Sequence, residues 1–204
     1  MIHRSLTQLA HQAIAEHLGA GDLAIDATVG NGHDTRFLAG LVGETGRVIG
    51  FDIQVEALNA ARRLLAGDRL LERVQLLPVG HQAMGRHIPQ DRGHRLQAVM
   101  FNLGYLPGGD KRIVTRPDST LRALRQALDH LAPQGLLSLM AYRGHPGGMA
   151  EFEAVKDFLG QLSPERFKVG TEYSGPAKQP GPVLFLVSNQ GRGPSSVASL
   201  SNNR

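Results

Sequence analysis

The sequence predicts an α/β fold, a mostly parallel seven-stranded sheet with helices on both faces and a C-terminal antiparallel hairpin. Short apolar runs alternate with stretches whose apolar residues recur at helical spacing, the pattern of a parallel sheet covered by helices. The last two apolar runs follow each other with no helical stretch between them, so they pair as a hairpin. A glycine-rich loop follows the first run directly and Asn102-Leu103-Gly104-Tyr105 follows the fourth. Both motifs then stand at the C-terminal ends of strands, where open α/β sheets bind ligands.

Taken in order, the first helix spans about 5–18, with Leu6, Leu9, Ala13 and Leu18 near one face, and Gly19 and Gly21 end it. Strand one is 23–27. A helix over 34–41 leads through Gly43 and Gly46 to strand two, 47–51, which closes at Asp52. Leu58, Ala61 and Leu65 mark the next helix, 74–77 the third strand and 96–101 the fourth. Leu121, Leu124, Leu128 and Leu131 stripe the helix before strand five, 135–141. Phe152, Val155, Leu159 and Leu162 stripe the last helix, and the runs 167–173 and 183–187 form the hairpin.

The chain of 204 residues, 41% of them hydrophobic, suffices for one domain with a sizeable core, expected over 1–190, with 191–204 expected as a disordered tail. Cysteine is absent, which excludes disulfides, thiolate zinc sites and a cysteine nucleophile. The nine His residues include no His-x-His or His-x-x-x-His pair backed by carboxylates, so no metal is expected. No apolar run approaches the ~20 residues of a membrane span, and the first residues lack the apolar stretch of a secretory signal. A cytoplasmic protein without a membrane partner is therefore expected. The net charge is +4, and 18 of the 22 basic residues are Arg, the side chain that forks onto phosphate and stacks on bases.

In the loop Asp26-Ala27-Thr28-Val29-Gly30-Asn31-Gly32-His33-Asp34-Thr35, the two glycines let the backbone turn and approach a ligand. The helix that follows aims free N–H groups at a carboxylate or a phosphate. Asp26, Thr28, Gly30, Asn31, Gly32, His33, Asp34 and Thr35 are thus candidate cofactor contacts. The third glycine of the dinucleotide fingerprint is missing. Asp52, at the end of strand two, can hold both hydroxyls of a ribose, Gln54 can add an adenosine contact, and His81 and Gln82 are placed to flank an adenine.

Asn102 decides between cofactors. An Asn at a strand end can accept a hydrogen from an amine while the Leu103 carbonyl accepts another, and Tyr105 can stack on a flat base. That is the equipment for methylating an amine with S-adenosylmethionine. His145, after strand five, is the best-placed base. Lys111, Arg112 and Arg116, with Tyr142 and Arg143 across the mouth, suit contacts to a nucleic-acid substrate. A ribosomal RNA or small-molecule N-methyltransferase, a nicotinamide oxidoreductase and a non-catalytic RNA-binding protein are the other readings.

Four stretches together carry a resemblance: loop 26–35, Phe51-Asp52-Ile53-Gln54, Asn102-Leu103-Gly104-Tyr105-Leu106-Pro107-Gly108-Gly109-Asp110-Lys111 and Gly144-His145-Pro146-Gly147-Gly148. The chain resembles the tRNA 5-(aminomethyl)-2-thiouridine methyltransferase family, also labelled an rRNA methylase family, over nearly the whole domain. The resemblance implies a Rossmann-like methyltransferase fold and S-adenosylmethionine as cofactor. It further implies methylation of the 5-aminomethyl group of 2-thiouridine at the wobble position, with the tRNA anticodon stem-loop as partner and a homodimeric assembly. The chain departs from the family pattern at Arg143, where His is usual, and at Val79-Gly80, where Asp-Ser is frequent.

Overall fold

A computed structural model describes residues 5–89, 94–174 and 181–191. The elements run α1 (Leu6–Ala15), β1 (Leu23–Asp26), α2 (His33–Leu41), β2 (Arg47–Phe51), α3 (Val55–Gly67), β3 (Val74–Leu77), β4 (Leu96–Leu103), α4 (Pro117–His130), β5 (Leu136–Ala141), α5 (Gly148–Gly160), β6 (Phe167–Tyr173) and β7 (Val183–Asn189). The strands form one sheet in the order β3-β2-β1-β4-β5-β7-β6, parallel except where β7 pairs antiparallel with both β5 and β6. The expected hairpin is present, with β7 lying inside β6. Of the tail expected over 191–204, Gly191 is described, its N–H donating to Asn189 Oδ1 (3.0 Å), and 192–204 lie outside the described residues. Among the described residues no helix is long and apolar enough to cross a membrane.

Side-chain alternation along the strands builds two cores. Val99, Phe101 and Leu103 of β4 join Ala123, Leu124, Ala127 and Leu128 of α4 and Phe152, Val155 and Leu159 of α5 on one face. Ala98 and Met100 point the other way, to Leu6, Ala10 and Ile14 of α1 and Leu38 of α2. Covered on both faces, the central strands are apolar at nearly every position. α1 starts at a capping box, in which the Ser5 side chain accepts from Gln8 N–H and the Gln8 side chain accepts from Ser5 N–H.

The boundaries shift from the sequence reading for local reasons. α1 ends at Ala15, where His17 turns its ring onto the Ala13 carbonyl (2.8 Å), although Leu18 stays buried. β1 ends at Asp26 because the Asp26 side chain accepts from Thr28 N–H (3.1 Å), a local turn that leaves the strand. β4 runs two residues further than expected, since Asn102 and Leu103 still pair with Met140 and Ala141 of β5. Two short 3₁₀ segments, Leu71–Arg73 and His81–Arg86, have no periodicity long enough to read in sequence.

β1 and β4 are neighbours, yet β1 connects outward to β2 and β4 to β5. The order in which successive strands are laid down therefore reverses between these two parallel strands, opening a crevice above their C-terminal ends. The glycine loop and Asn102 are brought together at this point.

Candidate active site

The crevice holds two chambers of about 490 and 500 Å³, and Thr28, Gly30, Asn102, Gly104 and Tyr105 line both. One chamber extends under Asn31, His33, Asp34, Tyr142 and His145, with Thr7 of α1 at its edge. The other extends past Asp52, Gln54, His81 and Gln82 to Arg112, Thr115 and Arg116. A ligand reaching from one to the other passes Asn102.

The glycine loop is shaped from below. Asp26 is fully buried; its two carboxylate oxygens accept from Thr28 N–H (3.1 Å) and Thr35 Oγ1 (2.6 Å). Gly32 adopts φ +85°, and a Cβ there would stand 2.8 Å from the Ala61 backbone. Only glycine lets α3 pack this close. Asp26, Gly32 and Thr35, expected as cofactor contacts, lie beneath the loop and line neither chamber, because each is buried in the packing that holds the turn.

Burial, then the negative charge of Asp34, pushes the Asp26 carboxyl from its ordinary 3.8 up to about 7. The native state therefore binds this proton more tightly than the unfolded chain does. The stability it contributes is full below pH 4, falls between about pH 4 and 7, and is lost above. A single proton changes stability by at most about 1.4 kcal/mol per pH unit. Denaturant unfolding from pH 5 to 8.5 should show this decline, and Asp26→Asn, which cannot ionise, should flatten it. An unchanged slope in the variant would assign the decline to other groups.

In the second chamber the Asp52 carboxylate is oriented by two backbone donors, Gly30 N–H (2.8 Å) and Gln54 N–H (2.9 Å). His81 lies behind it, 7% exposed, with its Nδ1–H donating to the Ala27 carbonyl (3.2 Å) and burial holding the imidazole below its ordinary range. Its Nε2 is then a bare, buried acceptor without a partner among the described residues. Gln82 lines the same wall while its carbonyl accepts from Gln126 Nε2 (2.8 Å).

Asn102 is held by two hydrogen bonds, the second of them backed by a further side chain. Its backbone N–H donates to Thr28 Oγ1 (2.7 Å), its Nδ2 donates to Asp34 Oδ2 (2.5 Å), and Asp34 Oδ1 accepts in turn from His11 Nε2 (2.6 Å). Oδ1 of Asn102 has no partner among the described residues. The next turn is pinned from α5: Gly104 N–H donates to Thr115 Oγ1 (2.8 Å), which donates to Glu151 Oε2 (2.6 Å), while Thr120 Oγ1 donates to Glu151 Oε1 (2.6 Å). Gly104 takes φ +138°, and His145 Nε2 packs against it. The His145 ring meets Tyr105 edge-on, its Nδ1–H donates to the Pro146 carbonyl (3.1 Å), and Nε2 is buried without a partner among the described residues.

The structure thus gathers most of the residues expected for the site. Tyr105 is 39% exposed, and the Lys111 ammonium stands 5.7 Å from its ring centroid. Arg112 is paired with the Asp110 carboxylate (2.7 Å), and Arg116 lines the second chamber. Tyr142 lines the first, its phenol pushed up by burial and by the charge of Asp34. Arg143 has a structural task as well: it stacks on Phe152 and Tyr173 and donates through Nε to the Gly181 carbonyl (2.8 Å). Asp34, expected at the cofactor, has both oxygens committed to Asn102 and His11. His11, Thr115 and Glu151 were not legible, because each acts through a fold contact with a residue far along the chain. Among the described residues no three His, Asp or Glu side chains are grouped to hold a metal ion.

Comparison with known proteins agrees with this fold. The crystal structure of a "putative rRNA-methylase" from Clostridium thermocellum superposes with a TM-score of 0.86 at 40% identity, covering 93% of this chain and 99% of that one. A "putative methyltransferase" from Streptococcus mutans, solved in complex with SAH, gives a TM-score of 0.81 at 33% identity, over 93% and 99% of the two chains. The chloroplastic tRNA (mnm(5)s(2)U34)-methyltransferase of Arabidopsis thaliana is 42% identical over 163 residues, 76% of this chain. The chain spans 59% of the length of that relative. Residues 48–188 match the model of the family described as "Putative rRNA methylase", and with its methyltransferase sheet and paired chambers the chain belongs to that family.

Proposed function

We propose that the chain is an S-adenosylmethionine-dependent N-methyltransferase whose acceptor is the aminomethyl nitrogen of 5-aminomethyl-2-thiouridine at the tRNA wobble position. The observation that carries this reading is Asn102, on the wall common to both chambers, with Oδ1 unengaged and Nδ2 tied back to Asp34. The choice of acceptor is supported by the relative that bears the name of this tRNA modification.

The residues present fit the cofactor. His81 Nε2, a buried acceptor without a partner, matches the amino group of an adenine, and the Asp52 carboxylate, already oriented by two amides, matches a ribose diol. Asn31 and His33, beside the free N–H groups of the α2 N-terminus, would hold the methionine carboxylate. When bound, S-adenosylmethionine supplies an electrophilic methyl group.

The chain's residues prepare the acceptor. An alkyl amine has a pKa of about 10 and is mostly protonated at neutral pH, so its nitrogen has no lone pair to offer. A partly dry chamber disfavours that cation. In this reading His145, which lines the first chamber, takes the departing proton, and Asn102 Oδ1 accepts a remaining N–H, turning the lone pair along one direction. Tyr105 offers a ring face to the base, while Lys111 and Arg116, which have no carboxylate partner among the described residues, serve the phosphates of the anticodon stem-loop.

The test is transfer of label from S-adenosylmethionine to tRNA carrying 5-aminomethyl-2-thiouridine, read by nucleoside mass spectrometry. Label in 5-methylaminomethyl-2-thiouridine is the expected result. Transfer to ribosomal RNA or a small amine in its place would overturn the acceptor assignment, and binding of tRNA without turnover would overturn the enzyme reading.

A further inference from the structure

The geometry points to Asp34 as a positioning residue that, with His11 behind it, decides which end of the Asn102 amide faces the acceptor. The inference rests on the reading of Asn102 as the acceptor-binding group. Asp34 stands in the first turn of α2, and both of its oxygens are committed to side-chain donors, Oδ2 to Asn102 Nδ2 at 2.5 Å and Oδ1 to His11 Nε2 at 2.6 Å.

An ionised carboxylate can only accept hydrogen bonds, so it can grip only the NH₂ end of an amide. Turning the Asn102 amide over would set its oxygen against the Asp34 oxygen and lose a charge-assisted bond. Asp34 therefore keeps Oδ1 in the chamber, where an amine N–H needs an acceptor. An Asn without that partner presents either end.

His11 holds Asp34 in turn. Its ring lies flat on Phe37, with centroids 3.9 Å apart and planes 4° from parallel, and Phe37 is one helical turn beyond Asp34 on α2. The stack sets the plane of the imidazole, and the plane aims Nε2 at Asp34. The His11 side chain is 29% exposed and that of Asp34 13%, so solvent competes little for either bond. Helix α1 thus takes part in the site through a side chain that lines neither chamber.

A merely structural tie between α1 and α2 would predict the same contacts, so the test must read the amide itself. In protein labelled with ¹⁵N, the Asn102 side-chain amide, assigned by its loss in Asn102→Ala, should have one proton shifted downfield and protected from exchange. Asp34→Ala should return it to the position of a solvated amide. In turnover on the tRNA substrate, Asp34→Ala should lower kcat about tenfold to hundredfold, the scale of losing alignment of a reacting pair, while the Kd for S-adenosylmethionine moves less than about threefold. His11→Ala should lower kcat less, and the double variant should be no worse than Asp34→Ala, because both act through one contact.

If Asp34→Ala melts well below the parent, Asp34→Asn carries the test. It keeps the size and one acceptor oxygen, and should retain more activity than Asp34→Ala. An unmoved amide resonance, an unchanged kcat, or a loss of cofactor affinity matching the loss of kcat would each overturn the inference, the last by making Asp34 a cofactor ligand. Should the parent protein methylate no tRNA, the functional reading fails, and the amide resonance still decides whether Asp34 orients Asn102.

Discussion

Asn102→Ala should lower kcat for methyl transfer by about 10² to 10³, the range seen when one preorganised hydrogen-bonding group is taken from a reacting centre, while cofactor affinity stays within about threefold. The separation follows from the geometry. The backbone N–H of Asn102, which ties β4 to Thr28 Oγ1, is untouched by the substitution, and β4 stays paired with β5 through Leu103. What is removed is Oδ1, the proposed acceptor for the substrate amine, together with the Nδ2 bond to Asp34. Asn102→Asp should also be inactive although it keeps an oxygen, because a second carboxylate would stand against that of Asp34. Single-turnover rates with saturating S-adenosylmethionine, beside calorimetric cofactor titrations, make the comparison. A variant retaining more than a tenth of the parent's rate would remove Asn102 from the acceptor site.

Asp52→Ala should have the opposite profile, weakening S-adenosylmethionine by about 10² with a smaller change in turnover once the cofactor is saturating. A hydrogen bond to a charged group is worth about 1.5–3 kcal/mol, and tenfold in affinity corresponds to 1.4 kcal/mol. Two ribose hydroxyls on one carboxylate make this scale a lower estimate. The variant also releases Gly30 N–H and Gln54 N–H, which both donate to Asp52, so the glycine loop loses a tie to the end of β2. Asp52→Asn keeps one acceptor oxygen and should fall between. Calorimetry with S-adenosylhomocysteine reads the effect without turnover, and an affinity within threefold of the parent would place the ribose elsewhere.

The two profiles divide the crevice into a cofactor end and an acceptor end, and the sequence foreshadows the division unevenly. Asp52 was legible because its task is local: it closes a strand and lies 22 residues past Gly30, the spacing of one helix and one strand. Asn102 was legible as a polar residue ending an apolar run, and His145 as a titratable residue among glycines after strand five. Asp26, Gly32 and Thr35 sit in the same loop as Thr28 and Asn31, yet the fold turns them under it. A linear motif does not show which of its residues face the ligand, because that depends on whether α3 and β1 bury them.

Glu151 shows the other limit. In sequence it is one acidic residue in the first turn of a helix, a place where a carboxylate is ordinary. In the fold it is buried and gathers Thr115 and Thr120 beneath the turn that carries Gly104 and Tyr105. Arg143 is similar: expected at the substrate, it is also stacked between Phe152 and Tyr173, two aromatic rings from separate elements.

The sequence by itself determined the order and type of the elements, the hairpin at the end, the ends of strands where chemistry must sit, and the family. The elements and strand ends follow from periodicity and turn chemistry, which act over a few residues and are written where they act, and the family follows from the resemblance of four motif stretches in order. Only the tertiary structure decided that β1 and β4 are neighbours, and with that the union of a glycine loop and an Asn 74 positions beyond Thr28. It alone placed Asp34 on Asn102 and His11 on Asp34, since contacts across 68 and 23 residues exist only once the sheet has closed and α1 has packed onto it.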